Sequence, residues 1–333
     1  MKNFIVTGAA GFLGCNFVQR LAREEDVHVF AVVRPNSRHN DRLTASERLT
    51  IVPADLADYA HLDKMIGAPC DVFFHLAWQG GRYDFAEQYE NIADTLGALE
   101  AAVRLGCRRF ICTGSQAEYG RQTDLITEKT CPHPADAYGA AKLAACVLSR
   151  QRAADLGIEW IWGRVFSLYG RYEQGSRMLP ALVKSLCAGQ LFTLSSSAEQ
   201  NWDYLYAADG ADALYALAKR GCAGEIYNIA HGDYRPLRAF TEEARAVLAP
   251  NVVISYGGCG SLFSSAFHRE DSSRYGVAGG NSVCGWAVQG VRACTRRMAK
   301  RNGAELMQRM EALHNAPREE YPYDVTQESL FHR

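Results

Sequence analysis

The sequence predicts an α/β protein built on a doubly wound parallel sheet, with a smaller C-terminal α/β region. Three observations predict it. Short apolar runs alternate with helical stretches through residues 1–170. A glycine-rich turn, Thr7 to Gly14, joins the first run to the first helix. Beyond residue 170 the alternation loosens.

Phe4 to Thr7 reads as a buried strand and Phe12 to Ala22 as a helix. Val27 to Val33 is a second strand, Ile51-Val52 begins a third, and Asp71 to Leu76 is a fourth. Two Ala-rich helices, Asn91 to Leu105 and Tyr138 to Leu156, bracket a fifth strand, Arg109 to Thr113. Glu159 to Val165 closes this part. Strands separated by helices imply right-handed crossovers and a parallel sheet. Met178 to Ala188 then reads as a helix with Pro180 in its first turn, where a missing N–H does no harm. Asp203 to Tyr206 and Glu225 to Ile229 read as strands, and Leu237 to Leu248 as an amphipathic helix. Gly257 to Arg301 is rich in Gly, Ser, Cys and Arg and shows little periodicity. The expected division is a cofactor-binding and catalytic domain over 1–170 and a substrate-binding region over 171–333, interleaved with the first and poorly defined over 257–333.

The 333 residues suit about two domains. Hydrophobic residues make up 48% and charged residues 22%, as in an ordinary folded core. The net charge of −1 gives no support for nucleic-acid or anionic-membrane partners. No apolar run approaches the ~20 residues that span a bilayer. The 11 cysteines are odd in number and form no CxxC pair, so neither a complete disulfide framework nor a metal site is expected. Scattered thiols and the lack of a signal-peptide pattern point to the cytoplasm.

The glycine turn carries chemistry. Gly8 permits a tight turn, Gly11 lets backbone N–H groups approach a pyrophosphate, and Gly14 lets the helix pack on the sheet. Phe12 and Leu13 then open a helix whose N-terminus favours phosphate. This is the pattern of a Rossmann dinucleotide site. The second strand ends at Val33-Arg34-Pro35, without the acidic residue that would bind a ribose 2′-hydroxyl. Arg34, supported by Arg38, suits a 2′-phosphate, so NADP(H) is favoured over NAD(H). Asp55-Leu56 follows the third strand, within reach of the adenine, although Asp55 serves equally as a helix cap.

Tyr138 and Lys142 stand four apart on one helix face. A free tyrosine titrates near ~10. A neighbouring ammonium favours the phenolate, bringing the group towards useful acid/base range. Lys142 also suits the nicotinamide ribose. Ser115 lies at the end of the fifth strand, where open sheets bind ligands, and can orient a carbonyl. Ser115, Tyr138 and Lys142 are the expected catalytic residues.

Thr7 to Gly14, Asp55-Leu56, His75-Leu76-Ala77, Asn91, Ser115 to Gly120, Tyr138 to Lys142 and Arg164 to Gly170 occur in family order over residues 1–250. In these motifs the chain resembles the extended short-chain dehydrogenases/reductases, the NAD(P)-dependent nucleotide-sugar epimerases, dehydratases and reductases. The resemblance implies a Rossmann domain, a Ser-Tyr-Lys triad, Leu76 and Ala77 at the cofactor, and a nucleotide-diphosphate sugar as substrate. It also implies a homodimer formed through the two long helices, where Ala140-Ala141 and Ala144-Ala145 allow close packing.

Within the family, 4,6-dehydratases carry Asp-Glu directly after the Ser or Thr of the triad. Here those positions are Gln116 and Ala117, which cannot exchange protons, so dehydration is disfavoured. Glu118 is one position off, and strand alternation should turn it away from the site. Gly114 to Gly120 and Gln200 to Tyr206 look like the CDP-abequose and paratose synthases and related 4-ketoreductases. The expected reaction is therefore NADPH-dependent reduction of a 4-keto-6-deoxyhexose nucleotide, with 4-epimerisation as the alternative. Relatives that only bind cofactor lose the Tyr or the Lys, and this chain keeps both. Trp202 replaces the family's diphosphate-gripping Arg, leaving Arg171, Arg177 and Arg269 as candidates. Ser167 stands where many relatives carry Asn. Trp78, Gln116, Ser167, Arg177 and Trp202, together with Ser115, are the expected substrate contacts.

Overall fold

The computed structural model describes residues 1–257. The stretch from 258 onward, with Arg269, lies outside the described residues. In chain order the first elements are β1 (Lys2–Thr7), α1 (Phe12–Leu21), β2 (Val27–Val33), β3 (Leu49–Pro53), α2 (Leu62–Ile66) and β4 (Val72–His75). They are followed by α3 (Phe85–Arg104), β5 (Arg109–Ser115), α4 (Ala137–Leu156), β6 (Glu159–Val165) and β7 (Ser167–Tyr169). Then come α5 (Met178–Cys187), β8 (Phe192–Leu194), β9 (Asn201–Trp202), β10 (Tyr204–Tyr206) and α6 (Ala207–Arg220). The last are β11 (Ile226–Ile229), β12 (Arg235–Pro236), α7 (Leu237–Leu248) and β13 (Ile254–Tyr256).

Seven parallel strands form the main sheet in the order β11-β6-β5-β4-β1-β2-β3. The central strands are apolar on both faces because each face is covered. Phe4 and Val6 of β1 and Phe74 of β4 enter one core, shared with residues of α1 and α6. Ile5, Phe73, Phe110 and Trp162 enter the other, shared with residues of α3 and α4. The Rossmann expectation holds. The chain leaves β1 for β2 on one side and returns to β4 on the other, so a crevice opens beyond their carboxyl ends.

Several elements differ from expectation. α3 starts six residues earlier than Asn91, because Asp84 caps it by accepting a hydrogen bond from the Glu87 N–H. The strand expected over 203–206 is split into β9 and β10, which pair with different partners. α6 is an additional helix; with β11 it returns the later half of the chain to the main sheet. A third core gathers Tyr169, Leu179, Leu182, Leu186, Ala244 and Ile254 beneath α5 and α7. Ala141 and Ala145 do not face outward: both are buried against their own subunit, leaving Ala140 on the open side of α4.

Glu118 also departs from its expected setting. The strand ends at Ser115, and Gln116–Tyr119 forms a 3-10 turn, so strand alternation does not govern it. Its side chain is 0% exposed and meets the 3% exposed Arg164 at 2.7 Å. Its other oxygen accepts hydrogen bonds from the Ser115 N–H at 2.8 Å and the Trp162 indole at 3.0 Å. The Arg164 guanidinium lies 4.4 Å from the Tyr119 ring centroid, and the Tyr119 hydroxyl donates to Asn228. Removing one member would strand a buried charge. Glu118→Ala is expected to cost about 3–5 kcal/mol of stability in a urea titration. A variant of unchanged midpoint and slope would show that the pair carries no such weight.

Candidate functional site

The glycine turn and the segment after β4 meet at the crevice. Gly8 has φ +65, and a Cβ on it would lie 2.8 Å from the Ala77 nitrogen. A Cβ on Gly14 would strike the Gly8 carbonyl and lie 2.9 Å from the Ala9 α-carbon. Both glycines are thus required by close backbone approach. Gly11 donates to the Gly8 carbonyl at 2.9 Å and precedes α1, whose N-terminus carries no side-chain cap. The first-turn N–H groups, from Phe12, Leu13 and Gly14, form a cradle that a pyrophosphate fits.

The Thr7 hydroxyl ties the two segments together. It accepts from the Leu76 and Ala77 N–H groups at 3.2 and 3.3 Å and lies 3.0 Å from His75 Nδ1. Thr95 donates its hydroxyl proton to the Asn91 carbonyl at 2.8 Å, so it accepts from His75 Nε2 at 3.4 Å, which assigns the ring proton to Nε2. Burial, aided by the Lys142 charge, pushes the His75 pKa down to about 3, so it stays neutral.

Arg34 directly follows β2 and is exposed. Burial lowers the His39 pKa, helped by the positive charges of Arg42, Arg38 and Arg34 and opposed by Asp41. Arg42, not anticipated from sequence, donates to the Ala10 carbonyl of the glycine turn at 3.2 Å. Asp55 takes the capping role at the start of the 3-10 turn Leu56–His61, its N–H donating to the Asp58 carboxylate at 2.9 Å. Leu56 packs on the second core together with Ala77 and Trp78.

Ser115 and Tyr138 come together at the end of β5. Ser115 Oγ accepts from the Ala117 N–H at 3.1 Å, and its side chain hydrogen-bonds Tyr138. Asp136 caps α4 by accepting from the Gly139 N–H at 2.8 Å, which fixes where the tyrosine turn begins.

Lys142, expected to tune Tyr138, lies one turn further along α4. Its ammonium is buried, donates to the Thr113 carbonyl at 2.8 Å and sits 3.5 Å from the Trp78 ring centroid. Burial lowers its pKa to about 8. The phenol is pushed up by burial; the groups that oppose this are Ser115, Arg82 and Arg177. Trp78 touches both residues, its ring 6.2 Å edge-on from Tyr138 and its indole N–H donating to Gln88 at 2.8 Å.

On the substrate side, Gln116 donates to Ser167 at 3.3 Å. Arg177 caps α5, close enough for its charge to act on Tyr138. Trp202 lies on β9 opposite Arg235, its indole N–H buried with no hydrogen-bond partner among the described residues. Asp203 beside it accepts from the His231 and Gly232 N–H groups at 2.9 and 2.6 Å. Arg171 is exposed, its guanidinium 4.8 Å from the Tyr172 ring centroid. Sequence reading missed Glu173, whose carboxyl burial pushes up to about 7, and Arg82, whose only local signal is the Gly80-Gly81-Arg82 loop after β4. Among the described residues no cluster of His, Cys, Asp and Glu suits a metal ion.

Comparison with known proteins agrees with this geometry. The dTDP-glucose 4,6-dehydratase of Escherichia coli is 29% identical over 257 residues, covering 68% of this chain and 70% of that protein. The solved UDP-N-acetylglucosamine 4-epimerase of Methanobrevibacter ruminantium shares 24% identity at a TM-score of 0.70, covering 77% of this chain and 84% of its own. The dTDP-glucose 4,6-dehydratase of Streptomyces venezuelae shares 21% identity at a TM-score of 0.72, over 94% and 97% of the two chains. The model of the NAD dependent epimerase/dehydratase family matches residues 4–230, and the chain belongs to that family.

Proposed function

We propose that the chain reduces the 4-keto group of a nucleotide-diphosphate 4-keto-6-deoxyhexose with NADPH. The observation that carries this reading is Arg42 donating to the Ala10 carbonyl of the glycine turn, with Arg34 directly after β2 in the same segment and no acidic residue there. A 2′-phosphate is a dianion that guanidinium groups suit, and NADP(H) exchanged at each turnover suits net reduction. When bound, the nicotinamide supplies the hydride. Ser115 holds the keto oxygen, and Tyr138 gives it the proton that completes the alcohol. Lys142, below its pKa of about 8, offers its remaining N–H donors to ribose hydroxyls.

Dehydration is disfavoured although two of the relatives described above are named as dehydratases. Water elimination needs an acid and a base beside the sugar, whereas Gln116 is an amide engaged with Ser167 and Ala117 has no proton to exchange. The second reading, nucleotide-sugar 4-epimerisation, is favoured by the likeness to the Methanobrevibacter 4-epimerase. Arg177, with Arg171, is our candidate grip on the diphosphate, and Trp78 and Trp202 our candidates to flank the sugar and base.

We also assign residues 1–170 to cofactor and catalysis and the later part to the sugar nucleotide. We place the protein in the cytosol, in keeping with its unpaired thiols; no helix among the described residues is long and apolar enough to cross a membrane. A homodimer through α3 and α4 is supported by Phe85, Tyr89, Val147 and Leu148, which are 75, 67, 59 and 49% exposed.

Incubation with NADPH and a 4-keto-6-deoxyhexose nucleotide is expected to bleach the reduced-nicotinamide absorbance. Tyr138→Phe should slow this by about 10²–10⁴-fold. Interconversion of 4-epimers without net NADPH loss would select the second reading. Replacing Arg34 and Arg42 together by alanine should weaken NADPH binding by about ten- to a hundredfold and leave NADH nearly unchanged, by fluorescence titration. Equal losses for both cofactors would remove the 2′-phosphate assignment. In sedimentation velocity the wild type should run as a dimer and Tyr89→Arg as a monomer; a monomeric wild type would end the dimer proposal.

A further inference from the structure

Arg42 touches the glycine turn through the Ala10 carbonyl, at 3.2 Å. A residue from the later half of the chain meets it there. The Arg42 guanidinium lies 5.0 Å from the ring centroid of Tyr172, in the connection between β7 and α5. Tyr172 has φ +73, in the left-handed region that bulky side chains rarely occupy. Such a conformation persists only where surrounding contacts over-determine it. Here α1 supplies two of them. Asn16 donates to the Arg171 carbonyl at 3.1 Å, and Gln19 donates to the Tyr172 hydroxyl at 3.1 Å. The Glu173 N–H closes the turn by donating to the Gly170 carbonyl at 3.2 Å. The Tyr172 ring also packs on the first core. The turn is thus bolted to the helix that follows the glycine turn, and it presents its ring to Arg42.

We infer that Tyr172 is a positioning residue of the cofactor site, holding the Arg42 guanidinium at the glycine turn for a cofactor phosphate. The inference rests on the proposed dinucleotide site only for what Arg42 binds. An unsupported arginine side chain samples many rotamers, and ordering it on binding costs affinity. A ring fixed in advance lowers that cost, because a guanidinium over an aromatic face still presents its donors at its edge. The Ala10 carbonyl engages Nη1, and the planar fork carries further N–H donors for phosphate oxygens. Arg171 shares the ring, 4.8 Å from its centroid. Two cations brought to one ring repel each other, and an anion bound beside Arg42 relieves that repulsion. A strained tyrosine on the substrate side of the chain thereby sets the geometry of a cation on the cofactor side.

Fluorescence titration of the intact protein with NADPH and NADH tests this. Tyr172→Gly removes the ring at a backbone position that glycine adopts without strain. It should weaken NADPH binding about three- to tenfold. Tyr172→Leu keeps apolar bulk on the core, removes the aromatic face and should show the same loss. Tyr172→Phe keeps the ring and should bind NADPH within about twofold of the wild type. In an Arg42→Ala background, Tyr172→Gly should cost nothing further, because the ring acts through Arg42. The inference fails if Tyr172→Gly and Tyr172→Leu leave both dinucleotides unweakened. It fails also if Tyr172→Phe loses as much as they do, or if the loss persists in full without Arg42. A loss confined to NADPH upholds both the inference and the 2′-phosphate reading. If NADH weakens as much as NADPH, Tyr172 still positions Arg42, on a phosphate that both dinucleotides share, and the 2′-phosphate reading falls instead.

Discussion

The buried ion pair between Glu118 and Arg164 governs how the rest of the site is built. Two opposite charges removed from water are tolerated only when their remaining valences are met. Glu118 meets them with the Ser115 N–H and the Trp162 indole, so the carboxylate bonds directly to the backbone of the residue that ends β5. Arg164 brings in β6, and through the Tyr119 ring and hydroxyl the network reaches Asn228 on β11. Three neighbouring strands of one sheet are thereby pinned at their carboxyl ends. The Ser115 hydroxyl has a defined position because the charge beneath it does.

On this base the site separates its cations by depth. Lys142 lies inside, where burial weakens its hold on a proton and the Trp78 face partly compensates. Arg82 lies at the rim, its side chain 46% exposed. A buried amine suits a fixed hydrogen-bonding task near neutrality. Gln88 and Asn91 on α3 stabilise this division. Gln88 holds the Trp78 indole and, through its amide nitrogen, the Gly81 carbonyl of the Arg82 loop, while Asn91 bonds the backbone of Gln79.

The main sheet and the glycine turn were legible in the sequence because their signals are local. Strands buried on both faces read as continuous apolar runs, and Gly8 and Gly14 sit where no side chain fits. Tyr138 and Lys142 were legible as a spacing and Ser115 as a strand end, and the structure brings Ser115 and Tyr138 together. What was not legible is long-range or depends on where an element stops. The Arg82–Asp136 pair joins residues 54 apart in the chain, and no pattern within a helix or strand encodes it. The Lys142 ammonium meets the face of Trp78, which arrives from the loop after β4. Glu118 was misread because the strand was carried past Ser115, when the turn there has a different period. β9, β10 and β12 are only two or three residues long, too short to show alternation, and their pairing is decided by partners rather than by propensity.

The near-neutral net charge also has a structural meaning. Many basic side chains of the described region are spent in ion pairs away from the crevice, as Arg20 with Asp212, Arg104 with Asp63, Arg109 with Glu159 and Arg152 with Glu100. Arg34, Arg38 and Arg42 gather instead near the glycine turn, and Arg82 and Arg177 near Tyr138. Screening confines each group's influence to roughly 8–10 Å in physiological salt, so a polyanionic ligand responds to these two clusters rather than to the sum over the chain. A net charge of −1 is therefore compatible with a strongly positive crevice. It gives no overall basic excess of the kind that attracts nucleic acid, and the two clusters suit the dinucleotide and the sugar diphosphate proposed above.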